Sequence, residues 1–518
     1  MQDLLYFDEN QYEIRTCELK GRKITYRAYM DLPYCRKSVD PIQKLNLFVP
    51  DFYYSGARGG GYDVKSVPIF MPNTVGGYMP GERDVPGYDH KGRVNSIFRA
   101  LEHGYVVVSA GIRGRTSGRV SKEFFEGGTI QRKDRTDTGK NVGKAPALIV
   151  DQKAVIRYLR YNKDRIPGNT DRIITSGTSA GGALSALAGA TGNSPDYEPY
   201  LREIGAAEER DDIFAASCYC PIHNLEHADM AYEWQFADCR EYYHTRHVIC
   251  DGGLSSSVEK GVMSAEQVRI SQELRALFPS YLNSLGLKTP EGEMLSLNAD
   301  GSGSFLEFMK RCLRECAQRE LEQQVSEGRL LAMQEKPCPV EDQPFLEISN
   351  GRVVSADWDL YVKTITRMKP APAFDAIDLS SPENSEFGES DLPITGKCDP
   401  KRATIAARHF TDYSCRNSTV GGRMADEKLI RMLNPLNYIE EADTAPYWRI
   451  RHGMFDRDTS AAIPMILASS LGSKGYEVDF EMPWGLPHSG DYDLDELFSW
   501  IDEICSDSYD RLCDEAAV

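Results

Sequence analysis

Long apolar runs are missing from this chain. No stretch approaches the roughly eighteen consecutive apolar residues that a membrane-spanning helix needs. Basic charge is in short supply as well. The 60 Lys and Arg against 78 Asp and Glu leave a formal charge of −18 over 518 residues, which speaks against nucleic acid or an anionic membrane as the main partner. Cysteine pairs are also lacking: the 13 cysteines include no C-x-x-C. The nearest neighbours, Cys218/Cys220 and Cys312/Cys316, match neither zinc nor disulfide-scaffold spacing. Free thiols in a reducing cytoplasm are the expectation. The opening Met1-Gln-Asp-Leu-Leu-Tyr-Phe-Asp-Glu9 is acidic and has no basic segment followed by an apolar core, so it does not read as a secretory signal. No cofactor is called for, and a monomer is expected.

What is present is a nucleophile signal. Gly177-Thr178-Ser179-Ala180-Gly181 follows a β-like run, Arg172-Ile-Ile-Thr-Ser176, and precedes a small-residue helical run, Gly182–Gly189. G-x-S-x-G in a strand–turn–helix context is a nucleophile elbow, with Ser179 lifted off the sheet edge and the Ala180 N–H at a helix start as an oxyanion donor. Upstream, the apolar run Val67–Met71 leads into Pro72-Asn-Thr-Val-Gly76-Gly77-Tyr78. The loop after that strand is where such a fold supplies its second oxyanion amide, here placed at Gly77.

The surrounding pattern alternates strand and helix. Gly21–Tyr29 and Asn46–Pro50 read as early antiparallel strands. Val94–Glu102, Tyr105–Ala110, Ala147–Leu159 and Ile213–Cys220 then read as helix, strand, helix and strand. After Cys220 the rhythm gives way to amphipathic helices at Ala265–Leu287, Ser304–Glu327 and Ala356–Met368, with Asn298–Gly303 a turn rather than a calcium loop. It resumes with Tyr447–His452, Ala461–Leu471, Tyr476–Met482 and Leu494–Cys505. The expected fold is α/β, a mostly parallel sheet with helices on both faces and a large, mainly helical insertion. Its parts are a first core segment 1–220, a lid insertion 221–433 and a second core segment 434–518. From Arg113 to Lys144 nine Lys or Arg face four Asp or Glu, a basic loop at the ligand-binding end of the sheet and a candidate flap.

A serine hydroxyl needs a base and an orienting acid, in chain order Ser, acid, His. Of nine histidines only His488 lies beyond the last strand. Asp456 and Asp458 both follow Tyr447–His452, and Asp456 is the favoured orienter. A rival motif, His223-Asn-Leu-Glu226-His227, matches the H-x-x-E-H zinc-peptidase pattern, but no third ligand is evident and no metal is expected.

These residues, with Met71–Tyr78, Gly111-Ile-Arg-Gly-Arg-Thr116, Cys220–Trp234, Ser381-Pro-Glu-Asn384, Arg449-Ile-Arg-His-Gly453, Asp456–Thr459 and Pro487–Asp493, run nearly end to end through the chain. The chain resembles the bacterial tannases, serine esterases of the α/β-hydrolase fold that act on galloyl esters. The resemblance implies Ser179, Asp456 and His488 as the triad, with Gly77 and Ala180 as the oxyanion hole. It implies Lys369, Glu383 and Asp458 around the galloyl hydroxyls, and Ile222 and Pro382 on the ring faces. Vicinal phenols donate to carboxylates, and an ammonium suits a phenol oxygen. By residue type alone Lys369, at the end of a periodic helix, and Glu383, in a Pro-rich turn, read as solvated. The implied substrates are galloyl esters of gallotannins and alkyl gallates. A feruloyl-type or general carboxylesterase is the alternative, and the zinc peptidase a distant one. The chain departs from the family pattern at the basic loop 116–141 and around Phe236–Lys260.

Overall fold

The computed structural model describes residues 3–89, 92–118, 138–250, 253–323, 329–330, 333, 338–391 and 407–515. Most of the basic loop, residues 119–137, falls outside the described residues, and with it the flap expectation.

Nine strands form the central sheet: β1 (Glu13–Leu19), β2 (Arg22–Pro33), β3 (Lys44–Pro50), β4 (Pro68–Pro72), β5 (Val106–Ala110), β6 (Asn169–Thr178), β7 (Ala215–Tyr219), Tyr447–Arg451 and Glu477–Glu481. Their order is β1-β2-β3-β5-β4-β6-β7, followed by Tyr447–Arg451 and Glu477–Glu481. The first three strands are antiparallel, as is β3 to β5. Every later pair is parallel. β5 and β7 are buried along their whole length, as continuous apolar runs require when helices cover both faces. Helices α1 (Ser96–Glu102), α2 (Ala147–Tyr161) and α3 (Ala180–Ala190) follow the strands in turn. α3 is wholly buried, which its Ala/Gly/Leu/Ser composition permits because nothing bulky holds it off the sheet. This is the α/β-hydrolase arrangement.

β7 pairs directly with Tyr447–Arg451, so the chain between them leaves the sheet and returns. That excursion holds α4 (Leu225–Phe236), α5 (Ala265–Ser284), α6 (Ser304–Gln323) and shorter helices at Trp358–Ile365 and Pro382–Glu386. It also holds two antiparallel hairpins that the sequence reading did not anticipate, Glu241–Cys250 with Gly253–Val262 and Leu346–Ser349 with Arg352–Ala356. The expected helix Ala356–Met368 is shorter. Asp357 caps it by accepting from Leu360 N, and it stops before Thr366, which has φ 56°. The reason lies one residue on: Arg367 is fully buried and pairs with buried Glu233 at 2.6 Å, so the chain turns inward and Lys369 sits in a loop, not on a helix end.

Among the described residues no helix is long and apolar enough to cross a membrane, and the ten cysteines whose side chains are described, Cys17 to Cys505, are unpaired.

Candidate active site

Ser179 occupies the turn between β6 and α3 with φ 62° and ψ −125°. A non-glycine residue there costs on the order of 1–3 kcal/mol and persists only when its surroundings over-determine it. They do. Ser179 N donates to Tyr219 O at 2.9 Å, while its carbonyl accepts from Ala183 N at 2.9 Å and Ile222 N at 3.2 Å. The flanking glycines are required by close approach. A Cβ on Gly177 would stand 2.3 Å from Gly181 O, and one on Gly181 would stand 2.4 Å from Asn73 Oδ1 and 2.6 Å from Val75 O.

Asn73 joins the elbow to the oxyanion loop. Its Nδ2 donates to Ser176 O at 3.1 Å and Gly181 O at 3.0 Å, and its Oδ1 accepts from Val75 N at 3.2 Å. Beyond it, Arg115 Nε donates to Gly77 O at 2.9 Å and Tyr78 OH donates to Ile222 O at 2.7 Å. The loop bearing Gly77 is thus pinned on both sides, and the Gly77 N–H has no acceptor among the described residues. The Ala180 N–H opens α3, so no intrahelical acceptor exists for it either.

His488 and Asp456 meet at 2.7 Å, with His488 Nδ1 donating to Asp456 Oδ2. Asp456 is fully buried, and its other oxygen accepts from Asp458 N at 2.8 Å and Thr459 N at 3.3 Å. Burial opposes the charge on Asp456, but the two neighbouring histidines and these hydrogen bonds hold its carboxyl down at about 2. For His488 burial lowers the pKa, and the anions around it, Asp456 foremost, lift it well above the ordinary value. The loop carrying His488 reaches the elbow because Gly490 packs on Thr178, where a Cβ would come within 1.9 Å of Thr178 Oγ1. Among the described residues no hydrogen bond joins Ser179 Oγ to His488 Nε2. That nitrogen instead has Asp458 Oδ2 at 3.7 Å and Cys220 Sγ at 3.9 Å.

The residues expected around an aromatic acid lie on the loop after Thr366, on the loop after Tyr447–Arg451, in the short helix Pro382–Glu386 and just past the elbow. Lys369 Nζ lies 3.2 Å from Asp458 Oδ1 and 4.2 Å from the centre of the Phe374 ring. Tyr232 OH fixes the loop by donating nowhere else than inward: it bonds Arg457 O at 2.8 Å and receives Met368 N and Lys369 N at 3.0 and 3.2 Å. Glu383 is buried in the short helix Pro382–Glu386, on the side of Tyr78, whose phenol its carboxylate helps to raise after burial. Pro382 opens that helix, and Ile222 is buried just beyond the elbow.

Other residues at the site carried no sequence signal. Glu386 is fully buried with both carboxylate oxygens unpartnered, and burial lifts it to about 8 against the pull of Lys144 and Arg115. His452 is buried, with Nδ1 3.6 Å from Asp456 Oδ2. Asp375, fully buried, accepts from Asn384 Nδ2, His409 Nδ1, Phe410 N and Thr411 N between 2.7 and 3.0 Å. His409 Nε2 in turn meets Ser418 Oγ at 2.9 Å. This second Asp–His–Ser relay is a clamp, because Ser418 Oγ already accepts from Gly422 N at 2.9 Å and contacts Ile377 O at 3.3 Å.

Two residues of the zinc-like motif are engaged separately, and the third, His223, is buried with neither ring nitrogen hydrogen-bonded among the described residues. His227 bonds Asn224 Oδ1 at 2.8 Å and stacks on Tyr281 at 3.6 Å. Glu226 accepts from Asn434 Nδ2 at 2.8 Å, and burial alone drives His223 down to about 3. Among the described residues their donor atoms form no metal-sized cluster.

The family model described as BD-FAE matches residues 138–222, which contain the elbow. Esterase LipC of Mycobacterium tuberculosis is 47% identical over 58 residues, which are 11% of this chain and only 14% of that protein. Solved structures match almost throughout, two of them as follows. A tannin acyl hydrolase in complex with ethyl gallate is 43% identical, with 97% of this chain and 99% of that one covered and a TM-score of 0.82. The tannase from Lactobacillus plantarum is 44% identical over 97% of this chain and 100% of that one, with a TM-score of 0.85. At that identity over that length, the protein belongs to the bacterial tannase, or tannin acyl hydrolase, family of carboxylic-ester hydrolases.

Proposed function

We propose that this protein hydrolyses galloyl esters through an acyl-enzyme on Ser179, with His488 as general base and Asp456 as its orienter. The observation that carries the reading is the buried 2.7 Å contact of Asp456 with His488 Nδ1, on a loop packed against the elbow strand. It fixes the tautomer that leaves Nε2 free to take a proton. Ester binding draws Ser179 Oγ and Nε2 together, as catalytic contacts commonly tighten only in the complex. Oγ then attacks the carbonyl carbon while its proton passes to Nε2. The oxyanion falls to the Gly77 and Ala180 N–H groups, each worth roughly 10²–10³ in rate. The tetrahedral intermediate expels the alcohol, which takes the proton from His488, and water repeats the sequence to release the acid.

The acyl group is set by the polar residues around the ring. Lys369, Asp458 and Glu383 meet the hydroxyls of a trihydroxylated ring, with Ile222 and Pro382 on its faces. The residues between β7 and Tyr447–Arg451, centred on 221–433, serve as the lid that carries Lys369, Glu383 and Pro382. Support comes from the charged groups already facing the elbow and from the ethyl gallate complex of a 43%-identical relative.

Hydrolysis of methyl gallate against methyl ferulate tests this. A higher kcat/KM on methyl gallate is expected. Preference for ferulate replaces the galloyl reading with a feruloyl-type esterase, and indifference to ring hydroxyls with a general carboxylesterase.

A further inference from the structure

The proposed ester chemistry has no use for Cys220, yet this thiol is fully buried at the end of β7 with Sγ 3.9 Å from His488 Nε2. Cys220, Asp456 and His488 are the group among the described residues whose sulfur, carboxylate and imidazole donors all lie within 4.8 Å of one another. We propose that Cys220 Sγ and His488 Nε2 form a two-donor clamp for a soft divalent cation, which binds beside Ser179 and reversibly shuts the site.

The spacing fits. Zn–S and Zn–N bonds of about 2.3 and about 2.05 Å at a tetrahedral angle place sulfur and nitrogen about 3.6 Å apart, so a shift of a few tenths of an ångström completes the bite. The supporting shell is in place as well. A metal-bound histidine usually gives its other N–H to a carboxylate, which fixes the ring and strengthens the ligand, and His488 Nδ1 already does so with Asp456 Oδ2 at 2.7 Å. Asp458 Oδ2, 3.7 Å from Nε2, adds negative field on the open side. Thiolate with imidazole selects zinc and cadmium over magnesium and calcium. His488 is not sealed from solvent, its side chain being 21% exposed. Water fills the remaining coordination positions.

Binding is an exchange. The cation forms bonds to sulfur and Nε2, the thiol proton leaves to solvent, and any proton on Nε2 leaves with it. Occupancy therefore rises with pH. Burial, which raises the Cys220 thiol, makes that proton harder to displace, and the neighbouring imidazole partly offsets this.

The inhibitory half of the proposal rests on His488 being the base, whereas metal binding does not, so the two are read separately. Phenyl acetate serves as substrate because it lacks the vicinal hydroxyls that would themselves chelate the ion. Zn2+ alone should inhibit the whole enzyme competitively with ester, more strongly at higher pH, and EDTA should restore activity. Co2+ alone should give a thiolate-to-cobalt charge-transfer band. Cys220→Ser, with Cys220→Ala as a second variant should the first fold poorly, should keep phenyl acetate turnover, lose the band and weaken zinc inhibition by at least about tenfold. Absence of the band in the unmodified enzyme, or equal zinc sensitivity in both variants, overturns the clamp. A band without inhibition overturns the shut-off and counts against His488 as the base.

Discussion

Asp458 Oδ2 lies 3.7 Å from His488 Nε2, the ring nitrogen on the side away from Asp456. A base flanked by two carboxylates holds its proton more tightly than an ordinary imidazole, and His488 is raised accordingly. Protonated His488 cannot accept from Ser179, so kcat/KM should rise with pH through a value above the ordinary 6.5. Removing the Asp458 charge lowers that value. Asp458→Asn should therefore move the acid limb of the profile to lower pH, a shift that Lys369 limits because it already offsets part of the charge. Phenyl acetate is the substrate of choice, since loss of a ring-hydroxyl contact then does not intrude. A limb that stays in place removes Asp458 from the electrostatics of the base.

The strain at Ser179 separates chemistry from stability. Ser179→Ala should abolish turnover by roughly 10⁴-fold or more with the fold intact. Ser179→Gly should abolish it equally, yet relieve a φ of 62° that only glycine adopts freely. Strain of about 1–3 kcal/mol, less the entropy that glycine adds to the unfolded chain, leaves a gain of about 1 kcal/mol. Thermal melts of the three proteins check this; a glycine variant no more stable than the alanine one shows that the elbow holds no releasable strain.

Much of this was legible in the sequence, for local reasons. The elbow advertises itself because a Cβ on Gly177 would meet Gly181 O and one on Gly181 would meet Asn73 and Val75, so both positions must be glycine. His488 does so because it alone lies beyond the last strand. The partnership of Cys220, His452 and Asp458 with the triad is a tertiary fact, produced by the meeting of three strand ends that are distant in the chain. The Leu346–Ala356 hairpin is different, for its signal was present. Asn350-Gly351 takes up φ 52° and 72°, the mirror turn that this dipeptide favours, and it was lost within a helical reading of its surroundings. Lys369 was misplaced by following amphipathic periodicity past Arg367, whose pairing with Glu233 ends the helix.

Glu383 should govern which ester is used. It is buried beside Tyr78 in the short helix Pro382–Glu386, so we place it to accept from ring hydroxyls without touching the base. Glu383→Ala should cut kcat/KM on methyl gallate while leaving phenyl acetate turnover nearly unchanged. A loss of about 1.5–3 kcal/mol, the range for hydrogen bonds to a charged group, corresponds to roughly 10- to 150-fold. Equal losses on both substrates point instead to a fold defect.

Asp375 tests whether that carboxylate is positioned at a distance. Asn384, next to Glu383, gives one amide hydrogen to Asp375 Oδ1 at 2.7 Å and another to Arg408 O at 3.0 Å. Its side-chain oxygen meanwhile closes a capping box with Ser381. Asp375 itself is held from below, its N–H donating to Asp229 Oδ2 at 2.8 Å. Replacing Asp375 by Asn keeps the shape but removes the charge that His409, Phe410 and Thr411 all address, leaving donors facing donors. The helix carrying Glu383 should loosen, and KM for methyl gallate should rise several-fold. Turnover of phenyl acetate, which needs only the elbow and His488, should hold. Asp375→Glu should not restore methyl gallate affinity, because the extra methylene has no room in a fully buried hub. If phenyl acetate turnover falls in parallel with methyl gallate affinity, Asp375 supports the fold as a whole and not the placement of Glu383.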